Sequence, residues 1–357
     1  MRKYYINPDI TKAETLPNTF YKSSDVFGTL MENLFGESCH WIGDSRDVLN
    51  PNQNVAPIQI MEEPIVLVEQ KNGEIQALSN VCTHRANKII HEKGKHSKLR
   101  CEYHGRQFKL DGKFLRMPEF EQAKNFPRDC DHLHRFKTFS LGPHLFVGLG
   151  DLVDFEKVIN QMQERIGFLP LEAFKKDQSL SKDYTVNCHW ALYCDNYLEG
   201  FHIPFVHEDL NETLDYGSYE TVIYDQMNLQ IGYSEDPKSC FELPEHHPDY
   251  GKNVAAYYYW IFPNMMFNFY PWGLSVNIVK PISPNRTKVS FISYVWDPSK
   301  LEEGAGALLD KVEREDEFVV EGVHQGLKSK FYTTGRFSPT REQGVHHFHL
   351  LLSKLFE

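Results

Sequence analysis

A run of apolar residues long enough to cross a bilayer as a helix, about 20 in a row, occurs nowhere in these 357 residues. The first residues, Met1-Arg2-Lys3-Tyr4-Tyr5-Ile6-Asn7-Pro8, are basic but lead into no small and apolar segment. Nothing there has the form of a secretory signal, so the cytoplasm is the expected compartment. Positive charge is also in short supply: 38 Lys and Arg stand against 49 Asp and Glu, a formal charge of -11. Such a field disfavours nucleic acid and anionic membrane surfaces and leaves small molecules and proteins as expected partners. The cysteines, seven and therefore odd in number, suit thiols or metal ligands better than a disulfide framework. A dinucleotide fingerprint is missing too, because Gly148-Leu149-Gly150 has no third glycine and no helical pattern after it. What remains is ordinary globular material, 41% hydrophobic and 24% charged, without repeats or low-complexity stretches and long enough for two cores.

Three regions follow from the patterning. In 24–36 apolar residues at 26, 27, 30, 31, 34 and 35 predict an amphipathic helix, with Ser24 as its N-cap and Gly36 as its C-cap. Residues 57–150 change to short β-type runs such as Ile65-Val66-Leu67-Val68, divided by the turn pairs Asn72-Gly73 and Asp111-Gly112. A helical stripe of Phe155, Val158, Ile159, Met162 and Ile166 in 154–174 then bridges to a second domain. There, β-like runs at 184–192, 255–262, 265–270, 274–279 and 288–296 precede helical periodicity over 308–328. The division expected is 1–50, an N-terminal helical segment packed on the last domain; 51–150, a small antiparallel β domain; and 151–357, an α+β domain on an antiparallel sheet.

Two of the cysteines stand out by position. Cys82-Thr83-His84 is followed, sixteen residues later, by Cys101-Glu102-Tyr103-His104. A [2Fe-2S] cluster takes four protein ligands, and in a Rieske centre two imidazoles replace two thiolates on one iron. One Cys and one His from each of two loops meet that need. Zinc held by two Cys and two His is the alternative, although a finger pairs like with like and here each half mixes the types.

A second set lies near residue 200, where the chain reads Asp195-Asn196-Tyr197-Leu198-Glu199-Gly200-Phe201-His202-Ile203-Pro204-Phe205-Val206-His207. Residues five apart on an ideal helix lie about 140° from each other, so His202 and His207 need a break in the helix to share one metal. Pro204 is expected to supply it by interrupting the ladder. An oxygen-activating mononuclear iron calls for two imidazoles and one carboxylate, with positions left open. Leu309, Val312, Asp316, Val319, Val323 and Gly326 recur at steps of three and four, setting Asp316 on the core-facing stripe and Glu315 and Glu317 off it. An acid so placed must be hydrogen-bonded, ion-paired or metal-bound.

The stretches Cys82-Thr83-His84-Arg85-Ala86 and Cys101-Glu102-Tyr103-His104-Gly105, with 195–207, resemble the ligand motifs of the Rieske non-haem iron oxygenase alpha subunits. The likeness runs nearly the whole chain, through Thr15-Leu16-Pro17 and Phe262-Pro263-Asn264, less specific matches than the ligand motifs. It implies that Cys82 and Cys101 hold one iron of the cluster and His84 and His104 the other. It also implies a helix-grip catalytic domain with one ferrous ion at His202, His207 and Asp316. By the same resemblance Glu199, three residues before the first His ligand, hydrogen-bonds that ligand and a cluster His of a neighbouring subunit, carrying electrons across a homotrimer interface. A Glu there, where ring-hydroxylating dioxygenases usually have Asp, is typical of the choline, glycine betaine and carnitine oxygenase branch. The implied activity is O2-dependent oxidation of an aromatic or quaternary-ammonium compound, by ring hydroxylation or demethylation. A separate NAD(P)H-dependent reductase, with or without a ferredoxin, is to supply the electrons.

Two departures and one rival belong beside it. The Rieske proteins of respiratory complexes carry further cysteines that would fall at 87 and 103, where this chain has Asn87 and Tyr103. Arg106 stands where most oxygenases have Trp, and is expected to alter the surface over the cluster. A Rieske electron carrier without catalysis would explain Cys82 to His104 but not the second ligand set. Tyr257-Tyr258-Tyr259-Trp260 and Phe267-Asn268-Phe269-Tyr270-Pro271-Trp272 suit either strand core or an aromatic cage for a quaternary ammonium. His246-His247 and the group His346, His347 and His349 have no acid or Cys at ligand spacing and are expected at the surface.

Overall fold

The computed structural model describes residues 4–207, 216–301, 304–307 and 309–357; the basic start 1–3 and Leu308, where the long helical pattern begins, lie outside them. Tertiary contacts divide the chain into two compact units, one of Phe35–Glu156 and one of Met1–Leu34 with Lys157–Glu357.

In Phe35–Glu156 the described residues form an antiparallel sheet in the order Cys39–Asp44, His144–Gly148, Arg135–Leu141, Ile75–Ser79, Glu63–Glu69, Val55–Ile60. Along Glu63–Glu69, Ile65 and Leu67 join one buried cluster and Val66 and Val68 join the other, as period-two alternation requires of a strand covered on both faces. Each such side chain contributes about 1.5–3 kcal/mol by leaving water. The cluster of Val66 and Val68 also takes in Ile89, Leu99, Phe108, Cys82 and Cys101. The hydrophobic core therefore anchors both cysteine loops directly. Gly112 closes its turn at φ +83°, a conformation that suits glycine, and an added Cβ would lie 3.1 Å from Leu78. The strand Cys39–Asp44 pairs with His144–Gly148, so this unit begins before residue 50, the limit expected from sequence. Trp41 and Ile42 are both half-buried while Gly43 and Asp44 are both buried, which leaves no alternation to announce a strand.

The other unit is built on an antiparallel sheet in the order Lys175–Val186, Arg286–Val295, Gly273–Ser283, Met265–Tyr270, Val254–Ile261, Met227–Tyr233, Glu220–Ile223. The helix Trp190–Tyr197 packs on strand Gly273–Ser283 and on the helices Leu309–Gly326 and Gln343–Lys354. The run expected as a strand over 184–192 is thus split. The strand ends at Val186, and His189 caps a helix by accepting the Ala191 N–H at 3.2 Å. Apolar continuity alone does not separate a buried strand from a buried helix. The first amphipathic helix is Ser24–Asn33, capped by Ser23 in place of Ser24, and Gly36 lies in the turn Phe35–Glu37 beyond its end. The N-terminal arm is tied to the C-terminal part of this unit. The Thr15 N–H donates to the Gly335 carbonyl at 3.1 Å, and the Leu16 N–H to His349 Nδ1 at 3.1 Å.

Candidate metal centres and active site

Cys82 and Cys101 open two loops that fold back on themselves. The Ala86 N–H reaches the Cys82 carbonyl at 2.9 Å, and the Gly105 N–H reaches the Cys101 carbonyl at 3.1 Å. Each closure brings the following His near its Cys, and the His84 and His104 rings meet edge-on with centroids 4.7 Å apart. The thiols are buried, whereas His84 is half-buried and His104 exposed. Burial raises the Cys82 thiol, against a hydrogen bond from the His84 N–H, and leaves it above its ordinary value. At Cys101 burial is outweighed by the Tyr103 N–H, the Asn87 amide at 3.6 Å and the His104 N–H, so that thiol lies below its ordinary value. A pocket that gathers N–H donors on sulfur suits an anionic thiolate and fits an iron–sulfur group.

Arg106, expected from the sequence to alter the surface over the cluster, is itself buried. Its guanidinium pairs with Asp131 at 2.8 Å and donates to the Thr83 carbonyl at 3.2 Å. The rings of Phe108, Phe114 and Phe126 lie 5.1–5.7 Å from it. An aromatic box stabilises the cation, so a residue that replaces an indole occupies an interior site by pairing its charge.

In the larger unit the helix Trp190–Tyr197 ends, and a single turn, Ile203–Val206, carries His202 and His207 at its two ends. Pro204 stands in the first positions of that turn, where a missing N–H costs nothing, so it opens a helix and does not break one. The two rings lie 5.0 Å apart, and His202, His207 and Asp316 offer ligand atoms all within 4.8 Å of one another. Asp316 Oδ1 is 3.0 Å from His207 Nε2 and 3.5 Å from His202 Nε2. Each outer ring nitrogen meets an acid: His202 Nδ1 lies 2.7 Å from Glu199 Oε1, and His207 Nδ1 lies 2.7 Å from Glu315 Oε2. The Glu199 carboxylate is itself fixed by N–H groups of Phe201 and His202. Burial lowers the proton affinity of His207, but Asp316 and Glu315 outweigh it and the net shift is upward. The same pair of acids sets a negative field around that ring, which attracts a cation.

The helix Leu309–Gly326 meets this site in a different phase from the one read in the sequence. Its buried residues are Glu313, Val320 and His324, while Val323 is 46% exposed and Gly326 is also exposed. Asp316 lies at the margin of the buried face, and Glu315, set aside in the sequence, reaches His207. The clustered histidines are also corrected. His247, His346 and His349 are buried, and His349 Nε2 bonds Asp195 at 3.0 Å while His346 bonds the Asn7 carbonyl at 2.7 Å. Their partners are far away in sequence, where no local spacing displays them.

Beside the two histidines opens a cavity of about 110 Å³ lined by Tyr193, Tyr197, Tyr219, Tyr258 and Tyr270. Tyr219, Tyr258 and Tyr270 form a row with centroids 6.5 and 5.8 Å apart. Gly200 faces Tyr219, where a Cβ would come within 3.0 Å of the ring. Of the aromatic segments weighed in the sequence, Tyr258 and Tyr270 therefore line the cavity, while Tyr257 and Tyr259 are buried in the strand Val254–Ile261 away from it. Period-two alternation sends neighbouring residues of a strand to opposite faces, which puts some of these rings in the core and others at the cavity. Tyr193, Tyr197, Tyr219 and Glu313 were given no role from the sequence, and Glu315 was placed off the stripe. Only the position of Glu313 three residues before Asp316 could have hinted at a shared face.

Comparison with known proteins accords with this geometry. Residues 38–127 match the Rieske [2Fe-2S] domain, and residues 171–355, more than half of the chain, match the catalytic domain of the ring-hydroxylating alpha subunit. The chain is 28% identical to the chloroplastic choline monooxygenase of Arabidopsis thaliana, over 96% of this chain and 83% of that one. It is 27% identical to the carnitine monooxygenase oxygenase subunit of Escherichia coli strain K12, over 97% and 95%. The solved structure of a quaternary ammonium Rieske monooxygenase shares the fold with a TM-score of 0.73 at 22% identity, covering 98% of this chain and 97% of that one. The chain belongs to the ring-hydroxylating alpha-subunit family and is a Rieske non-haem iron oxygenase, an oxidoreductase with a [2Fe-2S] cluster and a mononuclear iron.

Proposed function

We propose that this chain is the oxygenase component of a monooxygenase acting on a quaternary-ammonium compound, with electrons delivered by a separate reductase. The observation that carries the reading is a two-histidine, one-carboxylate set opening on a cavity walled by tyrosines. Cys82, Cys101, His84 and His104 hold the cluster, and His202, His207 and Asp316 hold the iron. Iron bound there supplies the reduction of O2, with two electrons and two protons per turnover, one oxygen atom entering the substrate and the other leaving as water. Glu199 and Glu315 fix the tautomer and direction of the two imidazoles so that both Nε2 atoms face the metal. The tyrosine faces attract the cationic ammonium, as the names of the choline and carnitine relatives support.

Glu199 also borders a second cavity, shared with Asp195, Glu342 and His349. That position supports a bridging role, in which a neighbour's His104 donates to Glu199 within a closed homotrimer. The test is a single turnover of reduced, iron-loaded protein under 18O2 with trimethylammonium compounds and with aromatic hydrocarbons. One labelled atom in the product of an ammonium substrate is expected. A cis-dihydrodiol carrying both atoms, formed from the hydrocarbon alone, would overturn the substrate assignment.

A further inference from the structure

Two buried polar atoms of the cavity lining lack a hydrogen-bond partner, and both are acceptors: Glu313 Oε1 and Gln230 Oε1. Glu313 is 2% exposed. Its other oxygen accepts the Tyr193 hydroxyl, and the Gln230 amide donates to the Tyr197 carbonyl at 2.7 Å, which fixes the orphan oxygen on its other arm. An unpaired buried acceptor costs about 1–3 kcal/mol, more for a charged group; burial and the neighbouring Asp316 push the Glu313 carboxyl well above the usual carboxylate range, so the charged form calls for a cation placed beside it.

The described residues lining the cavity include Glu199, Glu313 and Asp316 but neither Lys nor Arg. The cations nearby are already engaged. Lys182 pairs with Asp310 at 2.8 Å, Arg314 with Glu317 at 3.3 Å, and Lys311 lies 3.9 Å from Glu315. If the two charges of a ferrous ion are set against Asp316 and Glu199, Glu313 is the acid left over. Building on the oxygenase reading above, we infer that Glu313 is the counter-ion of the substrate ammonium and that the substrate is a monocation without a carboxylate. A zwitterion would bring its own anion into a cavity whose ionisable acids are Glu199, Glu313 and Asp316 and whose donors, Ser275, the Asn268 and Asn277 amides and the tyrosine hydroxyls, are neutral, and a charge without a counter-charge out of water is expensive. Choline fits this chemistry; carnitine does not. The five tyrosines supply ring faces to any cation, whereas the leftover acid decides what else the cation can carry.

Calorimetric binding to the iron-loaded protein separates these terms with four probes: tetramethylammonium, choline, its neutral carbon isostere 3,3-dimethylbutan-1-ol, and L-carnitine. Choline and tetramethylammonium are expected to bind at least about tenfold more tightly than the isostere or carnitine. Glu313→Gln, nearly isosteric, should lose about tenfold for the two cations and little for the isostere, a selectivity that damage to the fold would not produce. Carnitine binding as tightly as choline, or Glu313→Gln binding choline as the parent does, overturns the inference. Iron assayed on the same preparation keeps the underlying reading apart. Retained mononuclear iron with either of those results removes only the charge rule, whereas a chain that never retains it removes the oxygenase site beneath.

Discussion

At the scale of single residues, the metal site is a symmetrical arrangement of charge and direction. Each imidazole is held between an acid at Nδ1 and Asp316 at Nε2, with Glu199 serving His202 and Glu315 serving His207. Partners of this kind are worth about 10–100-fold in metal affinity. Glu315→Ala should therefore weaken mononuclear iron binding by that factor and leave the cluster spectrum unchanged, as a titration of apo-protein with ferrous ion will show; unaltered affinity would leave Glu315 a surface acid. Residues named by local spacing were legible in the sequence. Cys82, His84, Cys101 and His104 announce themselves within two short loops, and His202 and His207 within one turn. Asp316 was found with the wrong phase, because a helix that lends acids to a cavity does not obey the rule that apolar residues face inward. Glu313 is the counterexample, a buried acid where periodicity expects Leu or Val.

At the scale of elements, the cluster loops depend on a brace that no pattern showed. Arg106 links the first loop, at the Thr83 carbonyl, to Asp131, which also accepts the Arg128 N–H at 2.7 Å. Removing one partner of a buried ion pair leaves the other charge stranded at a cost of about 3 kcal/mol, while removing both is far less harmful. Arg106→Met should destabilise the Phe35–Glu156 unit by about that amount in chemical denaturation followed by cluster absorbance. Adding Asp131→Asn should restore most of the loss. Equal stability of single and double variants would show that the pair does not hold the loops. The strand Glu63–Glu69 was readable as the apolar run Ile65-Val66-Leu67-Val68, continuous because both of its faces are covered. Cys39–Asp44 was not, and neither was the switch from strand to helix between Val186 and Trp190, since neither carries a period of its own.

At the scale of the whole molecule, the chain separates a cluster-bearing unit from an iron-bearing one, with the first helices grouped with the latter. Tertiary contacts bound the smaller unit at 35 and 156, against the 51 and 150 expected from the change from short β runs to longer mixed elements. Assembly adds a further expectation. In a cyclic trimer bridged through Glu199, Glu199→Gln should leave both metals bound and the cluster reducible while slowing electron transfer to the iron by about 100-fold. Stopped-flow oxidation of the reduced cluster by O2 and substrate measures this, and sedimentation measures the trimer; a fully active monomer would contradict it. The claim on which all of this depends is that His202, His207 and Asp316 hold an iron distinct from the cluster. Iron and acid-labile sulfide, counted per chain in the parent and in Asp316→Ala, test it most directly. The parent should hold about three irons and two sulfides, and the variant about two of each with its Rieske EPR signal intact. Two irons already in the parent, or three retained in the variant, would contradict the assignment.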